Sequence, residues 1–275
     1  MKIRSYAKIN LTLEVISKLQ NNYHEIKGIF QNINLFDTIE ILESKSDSVT
    51  TKNIHINEHE NLVFIVLQEF KKYFKIHNSF KIVIKKNIPI ASGLGGGSSN
   101  AAAVIAGLNN FLGLNLTKTE LKSFVYKFGS DIPFFIDGGT CLVSGKGEIV
   151  ENITECINEG IILYTSKLII KDKTKKVFSY LSDENFTDGS KTAEVKNIIL
   201  SRTKLKNEEL FNIFNSLVLN KHPEVKIATK QMNESHANCL LSGAGMSLFA
   251  LSKNTNNNQI GKYYSLSNKS WEYID

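Results

Sequence analysis

Four glycines in the run 93–97 constrain this chain more than any other feature of its sequence. Alternating apolar residues at 80–84 predict a strand before the run, and the alanine-rich stretch 101–112 predicts a helix after it. Glycine permits positive φ and lets a backbone approach a ligand closely, while a helix N-terminus presents free N–H groups and positive dipole charge. Strand, glycine loop and helix in this order predict a phosphate-binding loop, to which Ser98 and Ser99 add hydroxyl donors or a helix cap.

Two widespread phosphate loops do not fit the glycine run. No Gly-Lys-Ser/Thr sequence ends it, as a Walker A motif requires, and the last glycine of a Gly-x-Gly-x-x-Gly fingerprint would fall on Ser98. The alternative without a ligand is a flexible turn or a serine N-cap. The strand and the helix on either side favour the phosphate-binding interpretation.

Composition indicates a folded protein with a basic surface. The 275 residues are 42% hydrophobic and 22% charged, and the formal net charge is +6. The lysines are scattered and form no long run. A solvated lysine-rich surface is therefore one interpretation, and a positive field that attracts a nucleotide is the other.

Cysteines and apolar runs bear on metal binding and location. Cys141, Cys156 and Cys239 lie far apart, without CxxC or Cys/His ligand spacing, so no zinc-ligating residues are predicted. An odd number of cysteines without a disulfide framework suits a reducing cytoplasm. The N-terminal residues turn polar at once and no apolar run approaches a membrane span, so we expect a cytoplasmic protein with no membrane partner.

Periodicity predicts two α+β units that share a cleft, with a boundary near 150–155. Alternation over residues 9–15 predicts a half-buried strand, and helical spacing over 61–76 predicts a helix. Thr117 and Glu120 form a capping-box pattern. Further predictions are strands near 39–41 and 161–163, a strand pair over 138–147 with a turn at 145–147, and a strand–turn–strand around 242–245. Helices are predicted near 174–181, 191–200, 207–219 and 223–233.

Four segments in order along the chain resemble the motifs of the GHMP kinases. Residues 89–99 resemble the family's phosphate-binding motif, and residues 7–11 resemble its N-terminal signature. Residues 129–135 resemble the segment with the catalytic aspartate, and residues 241–245 resemble the third, glycine-rich motif. The resemblance implies an α+β, two-lobed GHMP kinase fold: a ribosomal S5 domain 2-like ATP-binding lobe, 1–152, and a ferredoxin-like C-terminal lobe, 153–275.

The segments 23–26 and 30–31 resemble one branch of these kinases specifically. That branch phosphorylates the 2-hydroxyl of 4-diphosphocytidyl-2-C-methyl-D-erythritol with ATP, in the non-mevalonate route to isoprenoids. The resemblance thus implies ATP and this small-molecule substrate. It implies no nucleic-acid partner, and we expect a monomer or a homodimer.

The resemblance assigns the chemistry to two residues and the nucleotide to a longer set. Asp131 is implied as the base and Lys8 as its cationic partner; taken alone, the first would be a turn residue and the second a surface lysine. The residues expected at the nucleotide are Pro89, Ile90, Ala91, Ser92, Gly93, Leu94, Gly95, Gly96, Gly97, Ser98, Ser99, Asn61 and Lys86. Asn61 is equally interpreted as the N-cap of the helix that follows.

The acceptor side is implied to bind a cytosine. An aromatic face and a donor/acceptor edge suit a pyrimidine, and Tyr23 and His24 would supply them. In isolation this pair would be a surface tyrosine and a hydrogen-bonded histidine. The other residues expected at the substrate are Asn10, Phe30, Thr174 and Phe178. Their alternatives include an outward-facing strand residue for Asn10 and a core side chain for Phe178.

Two expectations concern Mg²⁺ and the third motif. The charge of ATP calls for a divalent cation, which we expect to be held mainly by phosphates and water, with Ser99 as a candidate ligand. In the third motif Ala244 stands where the family often has a serine, so a backbone role is expected there and a side-chain role is not.

Three rival functions remain open at this point. Another GHMP kinase, of the homoserine or mevalonate type, would not need Tyr23 and His24, because its substrate has no base to stack. A basic RNA-binding protein with the S5-like fold would leave Lys8, Asp131 and the glycine loop without a purpose. A homologue that only binds nucleotide is the third rival.

Overall fold

The computed structural model describes residues 1–20, 23–155, 157, 159–166, 168, 170, 172–235, 238–253 and 261–274. Within them the chain forms fourteen strands, eight α-helices and short 3₁₀ turns. The strands are Lys2–Asn10 (β1), Thr12–Lys18 (β2), His24–Ser44 (β3), Ser48–Lys52 (β4), Ser79–Lys85 (β5), Thr140–Gly145 (β6), Ile149–Ile153 (β7), Gly160–Tyr164 (β8), Phe211–Asn212 (β9), Leu240–Leu241 (β10), Leu248–Ser252 (β11), Lys262–Tyr264 (β12), Leu266–Ser267 (β13) and Trp271–Ile274 (β14). The helices are Leu62–Phe74 (α1), Gly96–Phe111 (α2), Lys118–Val125 (α3), Ile132–Asp137 (α4), Lys173–Phe178 (α5), Ser190–Leu200 (α6), Phe214–Lys221 (α7) and Pro223–Ser235 (α8).

Strand β3 organises the larger sheet. It is 21 residues long, and this length lets it pair antiparallel with β1, β2, β5 and β6 along successive stretches. Its pairing with β1 places Lys8 opposite Asn32 and Asn10 opposite Phe30. Two polar residues, two positions apart on β1, therefore point to the same face near the middle of the sheet.

Helices α1 to α4 cover one face of this sheet. Helix α2 packs against α1, α4 and β1. The core between them contains Phe70, Phe80, Phe134 and Phe135, which are fully buried. Burial of large aromatic side chains is the main apolar stabilisation of such a layer, and it fixes the start of α2 relative to β1.

The strand predicted over residues 9–15 is interrupted and fully buried. The chain bends at Leu11, between β1 and β2, and the polar residues Asn10, Thr12 and Glu14 have no exposed surface. The expectation of a half-buried strand is therefore wrong. The alternation holds, but both faces are covered, and the polar face holds hydrogen-bonded groups such as the Thr12 hydroxyl, which accepts from Ile29 N.

A second, four-stranded antiparallel sheet has the order β10–β11–β8–β12. Beyond it the chain returns to the first sheet, where β13 pairs with β3 and β14 pairs with β1. The strands in residues 266–274 thus belong to the same sheet as β1 and β3. The division into 1–152 and 153–275 stays a prediction.

Most helices lie where the sequence predicts them, with one exception. Thr117 caps α3 in a reciprocal capping box with Glu120, and α8 begins at Pro223, as expected. The helix predicted over 207–219 is confirmed only from Phe214 onward, because Asn207–Glu209 form a 3₁₀ turn and β9 pairs parallel with β2 before α7 begins. No helix among the described residues is long and apolar enough to cross a bilayer.

Candidate functional site

One cavity, of about 1220 Å³, contains nearly all the predicted site residues. It lies between the loop before α2, the facing ends of β1 and β3, and helix α5. Leu94 and Ser99 are the two predicted residues that do not line it. Those that do are Lys8, Asn10, Tyr23, His24, Phe30, Asn61, Lys86, Pro89, Ile90, Ala91, Ser92, Gly93, Gly95, Gly96, Gly97, Ser98, Asp131, Thr174 and Phe178.

The glycine loop ends in an uncapped helix N-terminus. Gly95 is the N-cap of α2 with φ +72°, and no side chain caps the helix. A Cβ on Gly95 would lie 2.6 Å from the Phe135 ring, so a side chain does not fit there. The first intrahelical bond runs from Ser99 N to Gly95 O at 2.8 Å, which leaves the earlier amides to face the cavity, where anions bind favourably.

The two serines after the glycines differ in position, and the expected helix cap is not formed. Neither Ser98 nor Ser99 caps α2, because both lie inside its first turn. Ser98 lines the cavity. Ser99 is 1% exposed, and its hydroxyl donates to Tyr6 O at 2.7 Å. Ser99 therefore holds α2 against β1, and its contact with nucleotide or Mg²⁺ stays a prediction.

A cluster of buried polar side chains supports the segment that leads into the glycine loop. Asp37 has no exposed surface; one of its oxygens accepts from Asn87 N at 2.6 Å and from Ile88 N at 2.8 Å. Its other oxygen pairs with the Lys86 ammonium, which also donates to Asn100 at 2.9 Å. Lys86 lines the cavity but has two internal partners. Asp37 was not identified from the sequence, although a carboxylate within an apolar strand is itself a signal.

Lys8 and Asp131 meet at the centre of the cavity. The Lys8 ammonium lies 3.5 Å from the Asp131 carboxylate, donates to Asn10 Oδ1 at 2.7 Å, and is 4.9 Å from the centre of the Phe30 ring. Lys8 is 3% exposed, whereas the Asp131 side chain is 35% exposed. Asp131 precedes α4 without accepting a capping bond, so its carboxylate is available to a ligand.

Asn10 has a donor without a partner. Its side chain is fully buried, and its Oδ1 is used by Lys8. Within the described part of the chain its Nδ2 has no hydrogen-bond acceptor. Leaving a buried amide donor unpaired costs free energy, and an acceptor on a bound ligand would remove that cost.

The third motif contributes backbone to the site. Gly243 has φ +59°, and a Cβ there would lie 3.0 Å from Asn10 Oδ1 and 3.2 Å from the Lys8 ammonium. The motif is tied to the glycine loop by Ser247 N, which donates to Ser92 O at 3.3 Å, and by Ser242 Oγ, which donates to Gly93 O at 3.3 Å. Lys8 and Asn10 are thus closed in by a turn in which a side chain at position 243 would be crowded.

Aromatic side chains line the other end of the cavity. The ring centre of His24 lies 5.2 Å from that of Phe178 and 6.1 Å from that of Phe186. Burial, with the nearby charge of Lys18, lowers the pKa of His24, which favours the neutral ring with one donor and one acceptor nitrogen. Tyr23 is 56% exposed, with the Lys146 ammonium 5.1 Å from its ring centre.

Lys173, at the start of α5, is a cavity residue that the sequence analysis missed. It is 9% exposed, lines the cavity and donates to Ala91 O at 2.9 Å. Burial, with the charge of Lys8, lowers its pKa to about 8, against the opposing effect of Asp131. In the sequence Lys173 stands beside Lys175 and Lys176, a pattern typical of a solvated surface. Its burial in the cavity was therefore not predicted.

Asn61 serves as a helix cap. Its side chain accepts from Val63 N at 3.0 Å at the start of α1, which confirms the capping interpretation. The residue also lines the cavity, so contact with a nucleotide stays a prediction.

Comparison with known proteins identifies the family. The family model described as GHMP kinases N terminal domain matches residues 61–139, so the glycine loop and Asp131 lie in a GHMP kinase domain. A curated 4-diphosphocytidyl-2-C-methyl-D-erythritol kinase, from Clostridioides difficile (strain 630), is 34% identical over 271 residues, which are 95% of this chain and 90% of that protein. The chain belongs to the 4-diphosphocytidyl-2-C-methyl-D-erythritol kinase family of the GHMP kinases.

Solved structures share the fold. A crystal structure of 4-(cytidine 5'-diphospho)-2C-methyl-D-erythritol kinase matches with TM-score 0.80 and 21% identity, over 97% of this chain and 98% of that chain. Homoserine kinase from Cytophaga hutchinsonii ATCC 33406 matches with TM-score 0.74 and 16% identity, over 100% and 97%. Such identities concern the fold alone, and they confirm the predicted α+β GHMP kinase fold.

Proposed function

We propose that this protein transfers the γ-phosphoryl group of ATP to the 2-hydroxyl of 4-diphosphocytidyl-2-C-methyl-D-erythritol. The observation that carries the proposal is the single cavity in which the start of α2, the Lys8–Asp131 pair and the His24–Phe178 ring pair come together. An anion site, a base with a cation, and an aromatic pocket are what a kinase for a nucleotide-linked alcohol requires.

The transfer step needs a proton acceptor and charge stabilisation. Asp131 takes the proton of the attacking hydroxyl, a new P–O bond forms to that oxygen, and the bond between the γ-phosphorus and its bridging oxygen breaks to release ADP. The Lys8 ammonium, 3.5 Å from Asp131, orients that carboxylate and stabilises charge on the transferred group. The amides at the start of α2 bind the phosphate chain.

The acceptor is oriented at its two ends. Asn10 Nδ2, buried and without an acceptor among the described residues, donates to an oxygen of the polyol or its phosphate. His24, with a lowered pKa, is neutral and hydrogen-bonds the cytosine edge, while Phe178 and Tyr23 offer ring faces. These roles follow from the chemistry of each group and its place in the cavity.

ATP with Mg²⁺ is the proposed phosphoryl donor. The uncapped α2 N-terminus fits a phosphate chain. No group of three His, Cys, Asp or Glu side chains among the described residues is arranged to hold a metal ion. The cation would therefore be held mainly by nucleotide oxygens and water, and it would offset the negative charge of the triphosphate.

A reducing cytoplasm is the proposed location. Its support is the state of the cysteines: Cys141 and Cys239 are buried free thiols. Burial, with the charge of Asp137, raises the pKa of Cys141 to about 12, so the thiol stays protonated and unreactive.

A coupled ADP-release assay tests the proposed function. We expect turnover with ATP and 4-diphosphocytidyl-2-C-methyl-D-erythritol, and kcat/KM at least about 100-fold lower with mevalonate or homoserine, because neither has a base for the aromatic pocket. A ³¹P spectrum of the product should contain a new phosphomonoester. Turnover only with mevalonate or homoserine would reject the assigned acceptor.

Two outcomes of the same assay address the remaining rivals. ATP binding without turnover on any of the three acceptors would favour a homologue that only binds nucleotide. Tight RNA binding that weakens steeply with salt, together with no turnover, would favour a nucleic-acid-binding protein.

A further inference from the structure

Lys173 lines the same cavity as Lys8, and the charges of the two residues interact. Lys173 is the first residue of α5, which comes from the C-terminal half of the chain, yet its ammonium donates to Ala91 O of the loop before α2 at 2.9 Å. Ala91 has φ +54°, in the left-handed region that a non-glycine residue rarely adopts. Lys173 therefore holds a strained carbonyl and joins two distant parts of the chain.

The Lys173 ammonium has unused bonding capacity. An ammonium has three N–H donors, and one of them is used by Ala91 O. Among the described residues Lys173 forms no ion pair with a carboxylate, unlike Lys8, which pairs with Asp131. Since the side chain is only 9% exposed, water does little to solvate the remaining donors.

The charges that act on Lys173 come from two other elements. Lys8 on β1 repels its positive charge, and Asp131 before α4 attracts it. Lys175, on the same helix, also lines the cavity. Two buried ammonium groups with one half-buried carboxylate leave excess positive charge at the centre of the site. Buried charge without a counterion is unfavourable, and an anion bound there would offset it.

We propose that Lys173 is a second cation of the transfer site, held by the Ala91 carbonyl so that its free donors contact the phosphoryl group that is transferred. The inference rests on the proposed function for the identity of the anion. Lys8 acts from one side, with Asp131, and Lys173 acts from the other side. In phosphoryl transfer, negative charge spreads over the oxygens of the transferred group in the transition state. Cations on two sides of that group stabilise this charge.

Three variants separate this role from a structural one. Lys173→Met keeps the length and apolar stem but removes the charge, Lys173→Arg keeps the charge, and Lys176→Met removes an exposed lysine that does not line the cavity. We expect kcat/KM for ATP to fall roughly 100-fold in Lys173→Met, by a smaller factor in Lys173→Arg, and not at all in Lys176→Met.

The pH dependence of kcat/KM distinguishes loss of the Lys173 charge from loss of side-chain packing, because loss of packing would not alter it. The pKa of Lys173 is lowered to about 8, so the ammonium is protonated below that pH and loses its charge as the pH rises through it. Wild-type kcat/KM for ATP should therefore decline above about pH 8. The decline should be absent in Lys173→Met, which has no group to titrate, and in Lys173→Arg, because arginine stays protonated. Lys8 and Asp131 are present in every variant.

Binding of inorganic tripolyphosphate, measured by calorimetry, keeps the inference separate from the identity of the acceptor. Wild-type affinity should be higher at about pH 7 than at about pH 9.5, and in Lys173→Arg it should stay nearly constant. If the wild-type enzyme fails to phosphorylate its proposed acceptor, the proposed function falls and this binding experiment still decides the role of Lys173.

The inference is overturned if Lys173→Met stays within about threefold of wild type in kcat/KM. Thermal unfolding shows whether the variant is folded. If it is not, the comparison of wild type with Lys173→Arg decides, and equal pH dependence of tripolyphosphate binding in these two proteins overturns the proposal.

Discussion

The two ends of the cavity are built differently. The phosphate end consists of backbone amides supported by the buried Asp37–Lys86 pair. The aromatic end consists of side chains from separate elements, such as His24 and Phe178 at 5.2 Å, and it includes Tyr23, which is half exposed. In the proposed function, the first end binds a group common to all ATP-dependent kinases, and the second distinguishes one acceptor from another. The proposed phosphate binding thus depends on backbone groups, and the proposed discrimination between acceptors depends on side chains.

The largest expected effect lies between the two ends, at Asp131. Asp131→Asn should lower kcat roughly 10³-fold, because general-base catalysis is lost, and should leave the Kd for ATP nearly unchanged. The coupled ADP-release assay and calorimetry measure the two quantities. Asp188→Asn is the matched control, since Asp188 lies outside the cavity and bonds Ser190 N, so its turnover should equal that of wild type. Turnover of Asp131→Asn within tenfold of wild type would reject the base.

The second-largest expected effect concerns the buried Asp37–Lys86 pair, which supports the phosphate end. Asp37→Asn leaves the buried Lys86 ammonium without its counterion, so we expect the free energy of unfolding to fall by roughly 3–5 kcal/mol and ATP affinity to fall with it. Urea unfolding and ATP titration test this. Asp47→Asn is the control, because Asp47 pairs with Lys71 and accepts from Phe80 N in a similar way, away from the cavity. Equal ATP affinity in the two variants would contradict the assigned support.

The aromatic end should respond in KM for the acceptor rather than in stability. Tyr23→Ala removes a half-exposed ring, so we expect KM for the cytidine substrate to rise roughly tenfold, as expected for loss of base stacking, with KM for ATP unchanged. Steady-state kinetics with each substrate varied in turn measure this. Tyr73→Ala removes a ring that is 67% exposed and outside the cavity, and it should change neither value. A similar rise in both KM values would remove Tyr23 from the acceptor site.

The smallest expected effect concerns Asn61, at the edge of the phosphate end. Asn61→Ala removes the cap of α1 and should cost about 1 kcal/mol of unfolding free energy. If capping is its main role, KM for ATP stays within about twofold of wild type. Asn57→Ala, which removes the cap of a 3₁₀ turn at His59 N, is the comparison in the same region. A tenfold rise in KM for ATP, seen only in Asn61→Ala, would assign Asn61 to the nucleotide as well.

Local backbone chemistry made several elements predictable. Thr117 with Glu120, and Pro223, mark helix starts by interactions within a few residues. The predicted helix over 207–219 begins only at Phe214, because tertiary contacts overrode helix propensity before it. Phe211 and Asn212 pair with β2, and the Asn212 amide donates to Leu241 O and Gly243 O at 2.8 Å each, which holds the third motif in place.

By itself, the sequence determined the glycine loop and the helix start after it, because glycine conformation and the helix N-terminus that follows are properties of neighbouring residues along the chain. Resemblance to known motifs added Lys8 and Asp131. Only the tertiary structure decided which side chains face one another: it turned Ser99 inward to Tyr6 O, placed Asp37 beneath the loop and brought Lys173 to Ala91. Burial and charge depend on distances between remote segments, and those distances arise only when the sheets and helices pack together.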